Sequence, residues 1–411
     1  MSPNPPQVID DHAGAAWIVI AAGVAAAMHV AKLPPALPLL QRELGLGLVQ
    51  AGFLLSLVQL ATMALGIVAG LTADGMGLKR SLGLGLWLLF GAGLAGGWAR
   101  DVTTLLALRA LEGLGFLMAT VAAPSLVRRC VAPAQTMRML GFWGAFMPFG
   151  TALALLCGPA VLDWVGWPGW WWLIAALSGV MALAVQWGVP ADASHAHART
   201  HAAAPAEGWG ARLKRTLGSG GPWLAALTFA AYSAQWLAVI GFLPSLYAEQ
   251  GWGGTLGAVL TALVAAVNIV GNIVAGRLLS HGVAPERILW TGFAAMALGA
   301  LLAYGTFTQH LPVPRYLGAI LFSVVGGLIP GGLFALAPRL APGERTMSTT
   351  VGWMMQWSAA GQVAGPPLVG WVEGQVGGWQ FTWIVTGACC VAGALLAGLI
   401  GRRVASMADN P

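Results

Sequence analysis

Long apolar runs separated by short polar connections occupy almost the whole chain. Most runs are close to the roughly 20 residues that an α-helix needs to span the hydrocarbon core of a bilayer. The pattern predicts an all-α membrane protein with twelve transmembrane helices. The predicted runs are 16–40, 49–72, 81–99, 103–124, 139–161, 169–188, 222–247, 254–279, 288–307, 315–338, 348–371 and 379–401.

Composition supports lipid as the main solvent. Of the residues, 58% are hydrophobic and 8% are charged, whereas about 25% are charged in a soluble protein. The 58 glycines suit membrane helices, where small residues allow close backbone approach. The four cysteines have no spacing typical of a metal site or a disulfide framework. We therefore expect neither a cofactor nor a metal.

One polar stretch divides the runs into two equal sets. It predicts an N-terminal six-helix bundle at 1–188, a linker at 189–221 and a C-terminal six-helix bundle at 222–411. His195, His197 and His201 lie in this linker without a completing cysteine or carboxylate cluster, so we interpret them as solvated.

Positive charge predicts the orientation in the membrane. With the N-terminus placed in the cytoplasm, fifteen Lys and Arg residues fall in cytoplasmic segments and three fall on the opposite side. This bias predicts that both termini are cytoplasmic. It also explains the net charge of +6 without a nucleic-acid partner. The N-terminal segment has no basic region, so we expect no cleaved signal peptide.

The two predicted halves repeat one another. The segment GIVAGLTADG (66–75) lies 206 residues before NIVAGRLLSH (272–281), and Gly-Pro pairs occur at 158–159 and 365–366. Such repeats build many secondary transporters around a site near the middle of the membrane. The repeat predicts two pseudo-symmetric halves.

Two segments resemble signatures of the major facilitator superfamily. GLTADGMGLKR (70–80) resembles the superfamily's loop signature, and RALEGLG (109–115) resembles its fourth-helix signature, with Glu112 in place of the usual glutamine. The matching loop positions are Gly70, Ala73, Asp74, Gly77, Lys79 and Arg80. AKLPPALPLLQRELGL and MPFGTALALL look like the cyanate-permease and nitroimidazole-transporter branch of that superfamily.

The resemblance implies a transporter that opens a central cavity alternately to each side. Helices one, four, seven and ten are expected to line the cavity. The residues expected to act in gating are Gly70, Asp74, Gly77, Lys79 and Arg80. Asp74 would hold its loop against the N-terminus of the eleventh helix, where a carboxylate is stabilised. Gly75 and Leu78 replace positive charges of the signature and weaken that contact, while Pro330 in GGLIPGG provides a hinge.

Three charged side chains lie inside predicted spans. Arg109 and Glu112 are three residues apart and share a helix face. Lys32 lies at a similar depth in the first run, so the two cations are predicted to share a layer of the cavity and bind substrate. Glu112 is the candidate proton carrier. Alternatives remain: a structural role for Arg109, a static ion pair for Glu112, and snorkelling or pairing with Glu112 for Lys32.

Uncharged polar residues supply the other candidate contacts. His29 lies on the same face as Lys32 and is either a substrate or proton site or a satisfied core histidine. In the second half, the candidates are Tyr232, Gln235, Asn268 and Gln356. Each is expected either to hydrogen-bond substrate or to join helices.

These features predict a secondary active transporter in the cell inner membrane, working as a monomer by alternating access. We expect proton-coupled uptake of a small anion, since no ATP-binding motif is present. One alternative is efflux of drugs or metabolites, which requires an aromatic cavity and tolerates loss of Lys32. Others are a sensor on a transporter scaffold and a membrane enzyme, for which the sequence supplies neither a large soluble domain nor a catalytic cluster.

Overall fold

The computed structural model describes residues 13–45, 48–192, 208–252 and 254–409, and every structural statement below concerns these residues. Their regular structure is helical throughout. The first helices are α1 (Ala13–Ala31), α2 (Leu33–Leu44), α3 (Leu48–Met76), α4 (Leu78–Gly96), α5 (Val102–Cys130), α6 (Pro133–Gly144) and α7 (Phe146–Gly188). They are followed by α8 (Trp209–Leu217), α9 (Gly220–Glu249), α10 (Gly254–Ser280), α11 (Pro285–Tyr304), α12 (Pro312–Gly326), α13 (Leu328–Leu340), α14 (Met347–Val376) and α15 (Thr382–Asp409).

Each predicted apolar run falls on one of these helices or on a kinked pair, which confirms the all-α membrane fold. Within the described residues, eight helical segments are long and apolar enough to cross a membrane. The longest, Pro133–Gly188, has 56 residues and at 1.5 Å per residue would far exceed the roughly 30 Å of a bilayer core. It bends at Gly166, whose φ of 68° favours glycine. A Cβ on Gly158 would lie 3.6 Å from the Trp170 ring, so the chain folds back between them.

The first membrane span is broken at Lys32. Pro34 and Pro35 open α2, and proline, which lacks an N–H, suits the first turn of a helix and disrupts its interior. The backbone N–H of Lys32 still donates to the Met28 carbonyl at 2.8 Å, so α1 is complete up to the break. The Lys32 carbonyl accepts a hydrogen bond of 2.9 Å from the Trp170 indole. This contact ties the backbone of the first predicted cation to α7.

Small residues bring the two predicted halves together. The helix α3 packs against α14, and α6 packs against α10. A Cβ on Gly66 would lie 2.6 Å from the Gly352 carbonyl oxygen, and one on Gly141 would lie 2.7 Å from the Gly276 Cα. Only glycine allows such approach of backbones. The domain division at the linker stays a prediction, because residues 193–207, including its three histidines, lie outside the described residues.

The halves also meet at one end of the bundle, which we call the basic end for its Lys79, Arg80, Arg128 and Arg129. Arg128 Nη2 lies 2.5 Å from Glu344 Oε1, in the connection between α13 and α14. Beside this ion pair, the Ser348 hydroxyl of α14 donates to the Ser125 hydroxyl of α5 at 2.7 Å, and both residues are buried. The two halves are therefore in direct contact at the basic end.

Candidate functional site

A partly open cavity lies between the two predicted halves. Helices α3, α5, α6 and α7 line it from one side and α9, α10, α13 and α14 from the other. The lining residues are Gln59, Phe116, Gly144, Phe146, Met147, Pro148, Phe229, Tyr232, Ser233, Trp236, Asn268, Pro330, Phe334, Met355, Ser358 and Gln362. None of these described residues is Asp, Glu, Lys, Arg or His. The wall is therefore apolar and aromatic, with a few amide and hydroxyl groups.

Aromatic rings from both halves meet at this wall. Phe334 of α13 contacts Phe229 of α9 edge-on, with ring centroids 5.5 Å apart. It also meets Trp143 of α6 edge-on at 6.4 Å. The Phe229 ring is stacked with that of Tyr232, one helical turn further along α9, at 6.3 Å. These are favourable geometries for aromatic pairs, so the cavity presents ring faces and edges to any occupant.

Three of the predicted residues line the cavity. Tyr232, Asn268 and Pro330 all belong to its wall. The Tyr232 hydroxyl donates to Asn268 Oδ1 at 3.3 Å, and Asn268 Nδ2 donates to the Ser323 carbonyl at 2.7 Å. Asn268 therefore joins α9, α10 and α12 while lining the cavity.

Two other predicted residues lie away from the cavity wall. Gln235 Nε2 donates to the Ala231 carbonyl of its own helix, and its Oε1 accepts from the Cys390 thiol of α15 at 3.2 Å. Gln356 Oε1 accepts the backbone N–H of Ile67 at 3.0 Å. Both side chains join helices here, which is the alternative role that the sequence left open.

The charged residues of the first half form one buried cluster. Glu112 Oε1 lies 2.5 Å from Lys32 Nζ, and Glu112 Oε2 lies 2.7 Å from Arg109 Nη1. Arg109 Nη1 also donates to the His29 carbonyl at 2.6 Å, and His29 Nε2 lies 2.9 Å from the Ser178 hydroxyl. These side chains of α1, α5 and α7 are at most 1% exposed. For Lys32, the structure selects pairing with Glu112 among the three alternatives.

This cluster does not line the cavity, which corrects the predicted placement of Lys32, Arg109 and His29 in a shared aqueous chamber. Within the first half, Lys32 and Arg109 both pair with the Glu112 carboxylate, and Arg109 also donates to the carbonyls of His29 and Leu54. The cluster holds two permanently or normally cationic groups, Lys32 and Arg109, against the single carboxylate of Glu112.

Two features of the sequence make room for the cluster. Gly93 of α4 leaves space, since a Cβ there would lie 2.9 Å from the His29 ring and 3.3 Å from Glu112 Oε1. Trp171 of α7 covers Lys32, whose Nζ lies 4.5 Å from the centroid of the indole ring. An ammonium over a tryptophan face is attracted by the ring quadrupole.

The first part of the gating signature contacts the other half. A Cβ on Gly70 would lie 2.5 Å from the Ser348 carbonyl oxygen and 2.8 Å from the Thr349 Cα, at the start of α14. This position requires glycine and brings the end of α3 against the N-terminus of α14. The side chain of Asp74 lies outside the described residues, so its contact with that helix stays a prediction.

The second part of the signature is tied to the end of α7 within the first half. Asp192 accepts the backbone N–H groups of Lys79 and Arg80, each at 3.1 Å, and pairs with Arg129 Nη1 at 2.9 Å. Gly77 precedes α4 and has a φ of 113°, which favours glycine. A Cβ at this position would overlap the Asp192 carboxylate, so the contact with Asp192 also requires glycine. Asp192 therefore caps α4 from a distant part of the chain.

The Lys79 side chain strengthens the same junction. Its Nζ donates to the carbonyl oxygens of Gln186 at 2.8 Å and Val189 at 2.6 Å. An ammonium group at the C-terminal end of a helix satisfies carbonyls that have no partner within the helix. In this structure, Lys79 and the Arg80 backbone thus hold α4 to α7, and a gating role for them stays a prediction.

Asp192 offers a test outside the membrane-spanning segments. Partial burial alone raises the pKa of the Asp192 carboxyl, but the Lys79 and Arg80 N–H groups and the Arg129 guanidinium outweigh it and hold the pKa below its usual range. Because the folded pKa lies below the unfolded pKa of about 3.9, the stabilisation is complete above the unfolded pKa and is lost as pH falls through the folded pKa.

We expect Asp192→Asn to lower the free energy of unfolding at neutral pH by about 1–2 kcal/mol, since hydrogen bonds to a charged group are lost. Thermal unfolding in detergent across the acid range measures the effect, and the two proteins should converge at the lowest pH. Asp163→Asn, at an exposed residue, is the control and should change little. Equal stability of Asp192→Asn and wild type at neutral pH would contradict the capping role.

Sequence reasoning missed most of the cavity wall. Gln59 of α3 donates to Gln362 Oε1 of α14 at 3.0 Å, which joins the two halves at the cavity. A lone amide inside an apolar run is a recognisable signal for such a contact. By contrast, Phe116 and Phe334 are apolar residues among many, and nothing in the local sequence distinguishes them.

The membrane helices surround a cavity whose described lining residues carry no charge, and the family and the similar structures given next identify the class of protein as a transporter. The family model described as Major Facilitator Superfamily matches residues 18–366. The chain belongs to the major facilitator superfamily.

Similar proteins and structures support this assignment. The chain is 28% identical over 355 residues to the puromycin resistance protein pur8 of Streptomyces alboniger, covering 83% of this chain and 65% of that protein. The fold matches the proton:xylose symporter XylE with a TM-score of 0.74 at 14% identity, over 94% of each chain. It also matches the E. coli fucose:proton symporter FucP with a TM-score of 0.74 at 16% identity, over 95% of this chain and 99% of that one.

Proposed function

We propose that this chain exports a small, uncharged aromatic solute in exchange for protons. The cavity wall carries the proposal, because its described residues are aromatic, apolar or neutral polar. The efflux alternative drawn from the sequence requires just such a wall. It replaces the anion as the favoured cargo.

The energetics of the cavity favour a neutral cargo. Moving an unpaired charge from water into an apolar site costs several kcal/mol or more. Lys32 and Arg109, the cations predicted to attract an anion, are already paired with Glu112 and fully buried. An anion would have to compete with Glu112 for them inside the first half, whereas a neutral ring needs only the aromatic wall.

The direction of transport is proposed from the similar protein in Streptomyces, whose name describes puromycin resistance. Resistance to a toxic solute is consistent with export, and puromycin contains aromatic rings, which the proposed cavity wall would bind. This chain spans 65% of the length of that protein, so the shared direction and cargo are both proposals. The similarity to the two sugar symporters concerns the fold alone.

Glu112 is proposed as the proton carrier. Its carboxylate bonds both Lys32, at the break between α1 and α2, and Arg109 of α5. A proton on Glu112 removes the charge that attracts both cations. Protonation and the position of the first membrane span are therefore coupled, which is the requirement for a proton-driven alternation.

The chain is a multi-pass membrane protein, and we propose that the basic end faces the cytoplasm of the cell inner membrane. The excess of Lys and Arg in the connections at this end supports the orientation. With this orientation, the ion pair of Arg128 with Glu344 and the packing of Gly70 on α14 support the proposal of a gate that is closed on the cytoplasmic side.

Proteoliposomes provide the test, with benzyladenosine as the uncharged cargo and its monophosphate as the anionic match. Inside-acid vesicles should accumulate the nucleoside and not the monophosphate, and Phe334→Ala should reduce this uptake. The controls are protein-free vesicles and Phe307→Ala, at an exposed residue outside the cavity wall. Preferential uptake of the monophosphate would restore the anion as cargo. Accumulation only in outside-acid vesicles would assign symport instead of export.

A further inference from the structure

One hydrogen-bond donor in the cavity wall lacks a partner. Trp236 lines the cavity and is only 8% exposed. Its indole Nε1–H is buried and has no hydrogen-bond partner among the described residues. An unpaired buried donor is unfavourable by about 1–3 kcal/mol, so such groups in folded proteins usually have an explanation.

The neighbouring polar groups of the wall are satisfied by one another. Gln59 donates to Gln362 at 3.0 Å, Gln362 Nε2 donates to Ser358 at 3.3 Å, and the hydroxyls of Ser358 and Ser233 lie 2.6 Å apart. This chain crosses from α3 through α14 to α9. Among the described wall residues, Trp236 is the one with a buried polar atom left unpaired.

Resting on the proposed function, we infer that the cargo carries a hydrogen-bond acceptor, a ring nitrogen or a carbonyl oxygen next to its aromatic ring, and that Trp236 donates its indole N–H to that acceptor. Trp236 is a binding residue in this assignment. The cargo class is thereby narrowed from aromatic solutes to uncharged heteroaromatic or carbonyl-bearing ones.

The position of Trp236 on α9 supports this recognition. It lies one helical turn from Tyr232, and Tyr232 is stacked with Phe229. An occupant with its ring against these side chains would lie on the same face of α9 as Trp236. Because an indole N–H donates and cannot accept, Trp236 favours an acceptor on the cargo over a donor. Selectivity for acceptors follows from this asymmetry.

Three bicyclic compounds that are uncharged at neutral pH distinguish a cargo with an acceptor from a cargo with a donor or with neither. Naphthalene has no polar atom, quinoline adds an acceptor, and indole adds a donor. We expect the purified wild-type protein to bind quinoline about tenfold more tightly than naphthalene or indole, the range of one hydrogen bond in a dry site. Isothermal titration calorimetry in detergent gives the three dissociation constants.

The variant Trp236→Phe keeps an aromatic side chain and deletes the N–H. It should bring quinoline down to the affinity of naphthalene and leave naphthalene binding nearly unchanged. Trp353→Phe is the matched control, since the Trp353 indole N–H is also buried without a partner but does not line the cavity. It should keep the preference for quinoline.

The outcomes separate this inference from the proposed function. Equal binding of naphthalene and quinoline by the wild type, or a preference for quinoline that persists in Trp236→Phe, overturns the role of Trp236 and leaves the aromatic cargo standing. If none of the three uncharged rings binds while the anion naphthoate does, the proposal of an uncharged aromatic cargo is itself wrong. Even if Trp236→Phe does not fold, equal binding of naphthalene and quinoline by the wild type would overturn the inference.

Discussion

Replacing Glu112 by alanine is expected to lower the free energy of unfolding by about 3–5 kcal/mol, the penalty for removing one partner of a buried ion pair. The variant leaves Lys32 and Arg109 facing one another in the interior of the first half, each at 0% exposure. No other carboxylate is recorded within ion-pair distance of either cation among the described residues. The loss is measured as the midpoint of unfolding in detergent, and also as folded yield.

Glu344→Ala is a closely matched control for this prediction. Glu344 also lies 2.5 Å from a cationic nitrogen, that of Arg128, but its side chain is 84% exposed. An exposed ion pair contributes at most about 1 kcal/mol, so this variant should unfold close to the wild type. Equal losses for the two glutamates would show that the Glu112 cluster is solvated, contrary to the burial described above.

Lys32→Met provides a second test, in which the losses of stability of two variants are compared. It leaves Arg109 and Glu112 as a neutral pair at 2.7 Å, so it should destabilise less than Glu112→Ala. Methionine also keeps most of the packing that the lysine stem makes against Trp171. A larger loss of unfolding free energy for Lys32→Met than for Glu112→Ala would contradict a cluster in which two cations share one carboxylate.

The membrane fold was predictable because length and hydropathy act locally. A backbone in lipid must satisfy its own hydrogen bonds, so each apolar run of sufficient length becomes a helix. The pairing of Arg109 with Glu112 was also predictable, since residues three apart on a helix are neighbours. Both features depend on short stretches of sequence.

The environment of Lys32 was not predictable in the same way. Lys32 and Arg109 both contact Glu112, as two cations in one layer can, but the direction of the Lys32 side chain depends on which helices pack beside it. The partners that draw it into the first half are Glu112 of α5 and Trp171 of α7, which are 80 and 139 positions further along the chain. A single sequence does not show which distant helices pack together. The Lys32 side chain was therefore predicted to face the cavity, and the cavity was predicted to be more charged than it is.

The cavity wall was hidden for a different reason. Phe116, Phe229 and Phe334 are apolar residues in apolar runs, and hydrophobic periodicity separates lipid from protein only where one face is polar. Asp192 was hidden too, because it lies at the start of a linker, where a carboxylate is usually solvated. Its contacts with α4 exist only after α7 has packed beside that helix.

Proton coupling through Glu112 leads to the prediction with the largest expected effect on transport. With the membrane potential clamped at zero, a difference of one pH unit supplies about 1.4 kcal/mol per proton, or tenfold accumulation of cargo. Glu112→Gln keeps the shape of the side chain and cannot take up a proton. We expect vesicles with this variant to equilibrate cargo without accumulating it, so the accumulation ratio falls about tenfold from that of the wild type. Exchange of labelled for unlabelled cargo should continue.

Charge balance provides the control for this experiment. Lys32, Arg109 and the Glu112 carboxylate together carry one excess positive charge, and the double variant Lys32→Met with Glu112→Gln keeps that excess on Arg109 alone. The double variant should fold better than Glu112→Gln and remain uncoupled, whereas Lys32→Met alone keeps the carboxylate and should still accumulate cargo. Tenfold accumulation by the double variant would exclude Glu112 as the proton carrier, because no carboxylate would then remain in this cluster to bind the proton.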